Sequence, residues 1–226
     1  MKMVCISDTH CQLNKVKLPD GDILVHAGDA LSRGTLSEFT NFLNKMEKLA
    51  NNKYKHVIYV PGNHDIITEL NEDLAKKECA SRNIIYLNNS EVSIEGIKFY
   101  GSGITPRFHN WAWNRDSGSS GTSYRKENPN YKSIDPYWDA IPEDTDVLIT
   151  HGPPKGVLDI SVYDGKECGC NYLWHRVQQV EPTFHIFGHI HEWGGQKVTL
   201  RNTTFINASV CTEQYKPLNN VLVVDV

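Results

Sequence analysis

What this sequence lacks narrows its possible roles before any motif is considered. No cysteine pair stands in C-x-x-C spacing, although six cysteines are present: Cys5, Cys11, Cys79, Cys168, Cys170 and Cys211. Zinc-ribbon and thioredoxin-like readings are therefore weak. Cys168-Gly169-Cys170 is the one cluster to test for metal or redox chemistry, set against two ordinary loop thiols. No apolar run approaches membrane-spanning length, and no apolar leader precedes the first strand. These absences predict a reduced, cytoplasmic protein with no membrane partner. Basic charge is short as well: 23 Lys and Arg face 27 Asp and Glu, for a formal net charge of −4. Duplex nucleic acid is not an expected partner, because that contact requires a basic face to neutralise phosphates. A small phosphorylated substrate stays open, since a metal site could hold it with little help from Lys or Arg. Neither an internal repeat nor a linker divides the 226 residues, so 1–226 is expected to form one domain with a substantial core.

What is present is a series of short apolar runs, each ending in polar residues. Met3–Ile6, Asp22–His26, His56–Val60, Asp146–Thr150 and Phe184–Phe187 read as strands buried on two faces. Thr35-Leu36-Ser37-Glu38 is a capping box, and Leu36, Phe39, Phe42, Leu43, Met46 and Leu49 follow at helical spacing, which predicts an amphipathic helix over 36–51. That stripe, Met46 included, reads as core. A second helix is expected over 69–82 with Leu70, Leu74 and Cys79 inward, and a third near 170–180. Ile84–Leu87 reads as a strand, and Glu91–Glu95 with Ile97–Tyr100 as a hairpin. The pattern breaks from Gly101 to Pro136, and a stretch of that length is usually functional or mobile. Within it, Ser117–Ser123 reads as a flexible tip. Val198, Phe205-Ile206 and Val221–Val226 are expected as antiparallel strands of a second sheet.

The strand ends carry the chemistry. Asp8/His10, Asp29, Asn63/His64, His151 and His189/His191 each follow an apolar run, and ligands of α/β proteins gather at the C-terminal ends of strands. Singly, each motif is more simply a turn-capping carboxylate or a hydrogen-bonded structural histidine. Five consecutive strand ends in agreement predict one converging cluster. Two divalent metals need a bridging carboxylate with oxygen and nitrogen ligands on either side, and Asp29 is the lone carboxylate of its motif. Asp8/His10 and His189/His191 are spaced by one residue, so in extended backbone both members of each pair would face the same way. Imidazole, carboxylate and amide together suit manganese, iron, zinc or nickel.

In chain order, D-x-H, G-D, G-N-H-D, H-G and G-H-x-H resemble the signature of the calcineurin-like metallophosphoesterase superfamily, spanning Asp8 to His191. Thr150–Pro154, Phe187–Glu192, Asn207-Ala208-Ser209 and Trp111–Asn114 are similar to its small single-domain metallophosphoesterase-domain-containing proteins. The resemblance implies an α/β, two-sheet (αββα) sandwich with helices on the outer faces. It implies two divalent metal ions, manganese first, with iron, zinc, nickel or magnesium as alternatives. Asp8, His10, Asp29 and His191 would hold one; Asp29, Asn63, His151 and His189 the other. It makes His64 a catalytic residue that protonates the leaving oxygen, with Asp65 orienting its imidazole. Arg33 sits where many relatives carry a phosphate-contacting arginine, although Ala30-Leu31-Ser32 departs from their acidic version. The implied activity is hydrolysis of phosphodiesters, phosphomonoesters or both, on small or nucleotide-like substrates, by a hydroxide bridging the metals. A nuclease is the alternative, against which the lack of a basic groove stands. The other alternative is an interaction scaffold of the same fold, against which the complete ligand set stands.

The aromatic segment around Arg107, Trp111 and Trp113 admits two readings. Its tryptophans and arginine form a substrate wall, or the tryptophans pin a long loop to the core.

Overall fold

The parallel strands are set by apolar runs whose side chains alternate between two cores. The computed structural model describes residues 1–117, 132–163 and 165–226, so the Gly118–Gly121 tract and most of the expected flexible tip lie outside the described residues. One sheet has β1 (Lys2–Ile6), β2 (Ile23–Ala27), β3 (His56–Val60) and β4 (Ile85–Tyr86) in parallel. The other is built on β6 (Ile97–Ser102), β9 (Val147–Thr150), β10 (Phe184–Phe187) and β12 (Thr203–Asn207), also parallel, edged by antiparallel β5 (Ser90–Ile94) and β11 (Gln196–Leu200). β7 (Thr105–Pro106) and β8 (Asn114–Arg115) form a short separate ladder inside the irregular stretch.

Residues along each strand divide by the pleat's period of two. Met3, Cys5, Val25, Ile58, Ile149, Ile186 and Ile206 meet in the core between the sheets. Val4, Ile6, Leu24, Val57 and Tyr59 turn the other way, onto Phe39, Phe42, Leu43 and Met46 of helix α1 (Leu36–Asn52). Leu148, Phe187 and Phe205 face out from the second sheet onto Leu173 and Val177 of the helix Asn171–Val180. Each such side chain contributes about 1.5–3 kcal/mol on burial. The αββα sandwich is the architecture that results. Among the described residues no helix is long and apolar enough to cross a membrane.

Three expectations need correction. The C-terminal strand β13 (Leu222–Asp225) joins the first sheet, antiparallel to β1, and not the second. β12 runs parallel to β10, so of the tail strands in the second sheet only β11 is antiparallel. The helix expected over 69–82 is two: α2 (Ile66–Leu70) and α3 (Glu72–Ala80). Asn71 leaves helical geometry between them and its side chain accepts from Leu74 N–H as the cap of α3, which turns Leu70 out to 77% exposure. The α1 capping box forms, with Glu38 N–H donating to Thr35 Oγ1 and Glu38 accepting from Thr35 N–H.

The two sheets are joined at their C-terminal edges. Ser7, just past β1, pairs with Ser209, just past β12, and Val210 N–H donates to the Ser7 carbonyl. Asp8 N–H donates to the Gly28 carbonyl, and Gly188 N–H to that of His151. Residues following β1, β2, β9 and β10 are thereby drawn into one space.

Candidate metal centre

The side chains that meet there are those of the strand-end motifs. Asp8 Oδ1 lies 3.2 Å from His191 Nε2 and 4.0 Å from His10 Nε2, and the two imidazole Nε2 atoms are 3.3 Å apart. On the other side, His151 Nε2 lies 2.9 Å from Asn63 Oδ1 and 3.3 Å from Asp29 Oδ1. Asp29 spans the two sides, with its Oδ2 3.9 Å from His10 Nε2. Three groups have ligand atoms close enough to share an ion: Asp8/His10/His191, Asp29/His151/His189, and His10/Asp29/His64.

The imidazoles are aimed by backbone carbonyls. His10 Nδ1 donates to Leu31 O at 3.2 Å, His151 Nδ1 to Ala27 O at 3.0 Å and His191 Nδ1 to Thr212 O at 3.0 Å. A carbonyl only accepts, so these bonds fix the proton on Nδ1 and turn Nε2 into the site. The carboxylates are aimed by amides: His189 N–H donates to Asp8 Oδ2 at 3.0 Å and His64 N–H to Asp29 Oδ1 at 2.7 Å.

The pairs Asp8/His10 and His189/His191 do not achieve this in extended backbone. Asp8, His10, Asp29 and His189 have φ of 54°, 40°, 54° and 69°, in the left-handed region. Strain of this kind survives only where surrounding structure enforces it. Two glycines allow the close packing. A Cβ on Gly62 would strike Asp29 N and Oδ1 and lie 2.9 Å from His151 Cε1, and one on Gly188 would strike Asp8 Oδ2.

The electrostatics call for positive charge. Burial favours protonated carboxyls at Asp8 and Asp29, yet His191 beside the first and His151 beside the second hold both below the ordinary carboxylate range. Burial opposes charge on His151 too, but the Asp29 carboxylate raises it to about 9. Burial and the neighbouring His151 lower His189 to about 4, so its imidazole is neutral and available as a ligand. Burial opposes charge on His191 as well, but its hydrogen bond to the Asp8 carboxylate raises it above the ordinary imidazole value.

Comparisons with known proteins identify the family. Residues 1–193 match the model of the calcineurin-like phosphoesterase family. The chain belongs to that family. It is 36% identical over 246 residues to human metallophosphoesterase domain-containing protein 1, covering 99% of this chain and 70% of that protein. A UPF0046 protein of Caenorhabditis elegans is also 36% identical, over 94% of this chain and 71% of its own length. Among solved structures, phosphopantetheinyl hydrolase from Mycobacterium tuberculosis has the same fold, with a TM-score of 0.62 at 18% identity over 95% of this chain and 90% of that one.

Within this phosphoesterase fold, the other site candidates divide. His64 stands at the centre: its Nδ1 donates to Ser32 O at 2.8 Å, its ring meets His10 edge-on at 4.9 Å, and Trp111 covers it at 4.1 Å. Asp65 does not orient it. The Asp65 carboxylate accepts from the backbone N–H groups of Gly62, Ala30 and Leu31, tying the two ligand-bearing loops together. Burial, with Asp29 nearby, pushes that carboxyl up to about 6. The aromatic segment splits between its two readings. Trp111 is half-buried at the site, while Trp113 is a loop anchor, 4% exposed, whose Nε1 donates to Thr68 Oγ1 and whose N–H donates to Glu69. Arg107 is held by Asp116 through two hydrogen bonds, from Nε at 2.6 Å and Nη2 at 3.3 Å. Arg33 is exposed beside Ser32. Cys168 is exposed and Cys170 buried, with Trp138 Nε1 donating to Cys170 Sγ.

Sequence reasoning missed Tyr215, whose ring lies 4.8 Å from His10 and 5.2 Å from His191. It also missed the carbonyls of Ala27, Leu31, Ser32 and Thr212. Backbone acceptors leave no trace in residue identity, and no motif surrounds Tyr215.

Proposed function

We propose that this protein is a binuclear-metal phosphohydrolase acting on phosphodiesters, phosphomonoesters or both, of small or nucleotide-like compounds. The observation that carries the reading is the aimed ligand set: buried carboxylates, an amide oxygen and imidazole Nε2 atoms, with the Nδ1 atoms of His10, His151 and His191 each bonded to a backbone carbonyl outside the cluster. Such a mixed oxygen and nitrogen set suits manganese, with iron, zinc, nickel or magnesium as alternatives. Asp8, His10, Asp29 and His191 would hold one ion, and Asp29, Asn63, His151 and His189 the other. When bound, the ions would supply Lewis acidity that draws charge from the phosphoryl oxygens and lowers the pKa of water.

The chain's own residues supply the rest. Asp29 reaches both halves of the cluster, with one oxygen 3.3 Å from His151 and the other 3.9 Å from His10. His64 keeps its Nδ1 proton on the Ser32 carbonyl. A second proton, on Nε2, is then the one it can deliver to the leaving oxygen. We assign His64 this role and not that of a ligand, and Asp65 a supporting one through the loops it joins. Arg33 is the candidate phosphate contact and Trp111 the candidate wall for the substrate's organic part. A cytoplasmic location and a small-molecule substrate complete the reading.

Turnover of bis(p-nitrophenyl) phosphate and p-nitrophenyl phosphate with added manganese tests it. Metal-dependent release of p-nitrophenol from either ester is expected. No release from either, together with no bound metal, would leave the fold without the chemistry and favour a scaffold.

A further inference from the structure

The family match ends at residue 193, yet a turn well beyond it reaches the Asp8/His10/His191 group. Tyr215 on that turn meets both imidazoles in edge-on geometry, at 4.8 Å from His10 and 5.2 Å from His191. The same turn supplies the Thr212 carbonyl that accepts from His191 Nδ1. It is fastened from several directions. Tyr215 N–H donates to Thr212 O and Thr212 N–H to Lys216 O, both at 2.8 Å. Gln12 Nε2, two residues past the ligand His10, donates to Tyr215 O at 2.8 Å. Asn219 Nδ2 donates to the carbonyls of His191 and Cys211 at 3.2 and 2.9 Å.

Tyr215 is held at φ 57°, a conformation that bulky residues rarely take. It is also 50% exposed, so burial of its ring in a core does not account for the strain. What the strained backbone achieves is contact of one ring with two imidazoles whose Nε2 atoms stand 3.3 Å apart. Outer partners of ligand histidines, such as the Thr212 carbonyl on this turn, set their orientation, and losing them alters metal affinity by about 10–100-fold.

We propose that Tyr215 is a positioning residue, bracing His10 and His191 so that both Nε2 atoms address one ion together with Asp8. This rests on the reading that these residues hold a metal. The device belongs to the tail, outside the segment that defines the family.

Manganese titration of the full chain by calorimetry, with metal counted by mass spectrometry, tests the proposal. Tyr215→Gly removes the ring and tolerates the positive φ; Tyr215→Phe keeps the ring. Tyr215→Gly is expected to bind one of two manganese ions about tenfold more weakly and to leave the other unchanged, while Tyr215→Phe matches the wild type. Gln12→Ala, which removes the bond that ties the turn to the His10 loop and leaves the ring, should weaken the same ion and decides the matter if Tyr215→Gly does not fold. Melting of chelator-treated protein reports whether each variant is folded. Unchanged affinity in the folded variants, or equal weakening of both ions, overturns the bracing role. A wild-type chain that binds no manganese overturns the metal reading itself.

Discussion

His64 is placed so that two roles compete for it. Its ligand nitrogen can approach His10 and Asp29 closely enough to share an ion, while the neighbouring Asn63 Oδ1 already faces His151 at 2.9 Å. Its Nδ1 bond to Ser32 O and the Trp111 ring 4.1 Å away fix the imidazole in place under either role. The proposed division makes Asn63 the ligand and His64 the proton donor. His64→Ala should then lower the hydrolysis rate by about 10²–10⁴-fold, the usual scale for a general acid, with both metals retained. Metal analysis of that variant checks it; loss of an ion with the activity would make His64 a ligand. At this scale the sequence was informative about side chains and silent about carbonyls. The motif residues Asp8, His10, Asp29, Asn63, His151, His189 and His191 do converge. Asp65 was misread because adjacency to His64 suggested a partnership, whereas its carboxylate turns to Gly62, Ala30 and Leu31. The choice between the two readings of Trp113 was not legible because its partner, Thr68, is set by loop packing that residue identity does not encode.

Among the elements, the turns that follow the strands matter as much as the strands. Three of the five ligand-bearing turns leave their strands through left-handed backbone, at Asp8, Asp29 and His189, and glycines let neighbouring turns touch. Gly62→Ala should therefore damage the centre although it adds only a methyl group and changes no ligand. Its Cβ would meet Asp29 and His151, so manganese affinity should fall by at least about tenfold, on the scale of lost supporting contacts. Calorimetric titration of Gly62→Ala measures this, and wild-type affinity would mean that the two turns are not locked together. Strands β1, β2, β3, β9 and β10 were readable because parallel strands buried on both faces appear as continuous apolar runs. The sheet that β13 joins was not readable, since Val221–Val226 has the same apolar character beside either sheet. The break at Asn71 was hidden for a related reason: an asparagine that caps α3 also fits within a helical pattern.

On the scale of the whole molecule, the centre exists only when both sheets are in place. Asp8 and His10 come from the end of β1, and His191 from beyond β10 in the other sheet. Asp29 follows β2, while His151 and His189 follow β9 and β10. Each ion would therefore bridge the sandwich, and binding to the folded state alone adds stability in proportion to the logarithm of free metal over Kd. The bridge between the ions falls to Asp29, the carboxylate that reaches His151 with one oxygen and His10 with the other. The most direct test is the number of manganese ions per chain, counted by mass spectrometry after loading and desalting, in wild type and Asp29→Ala. Two ions in the wild type and loss of binuclear binding in Asp29→Ala are predicted; two ions in both proteins would contradict the proposed centre.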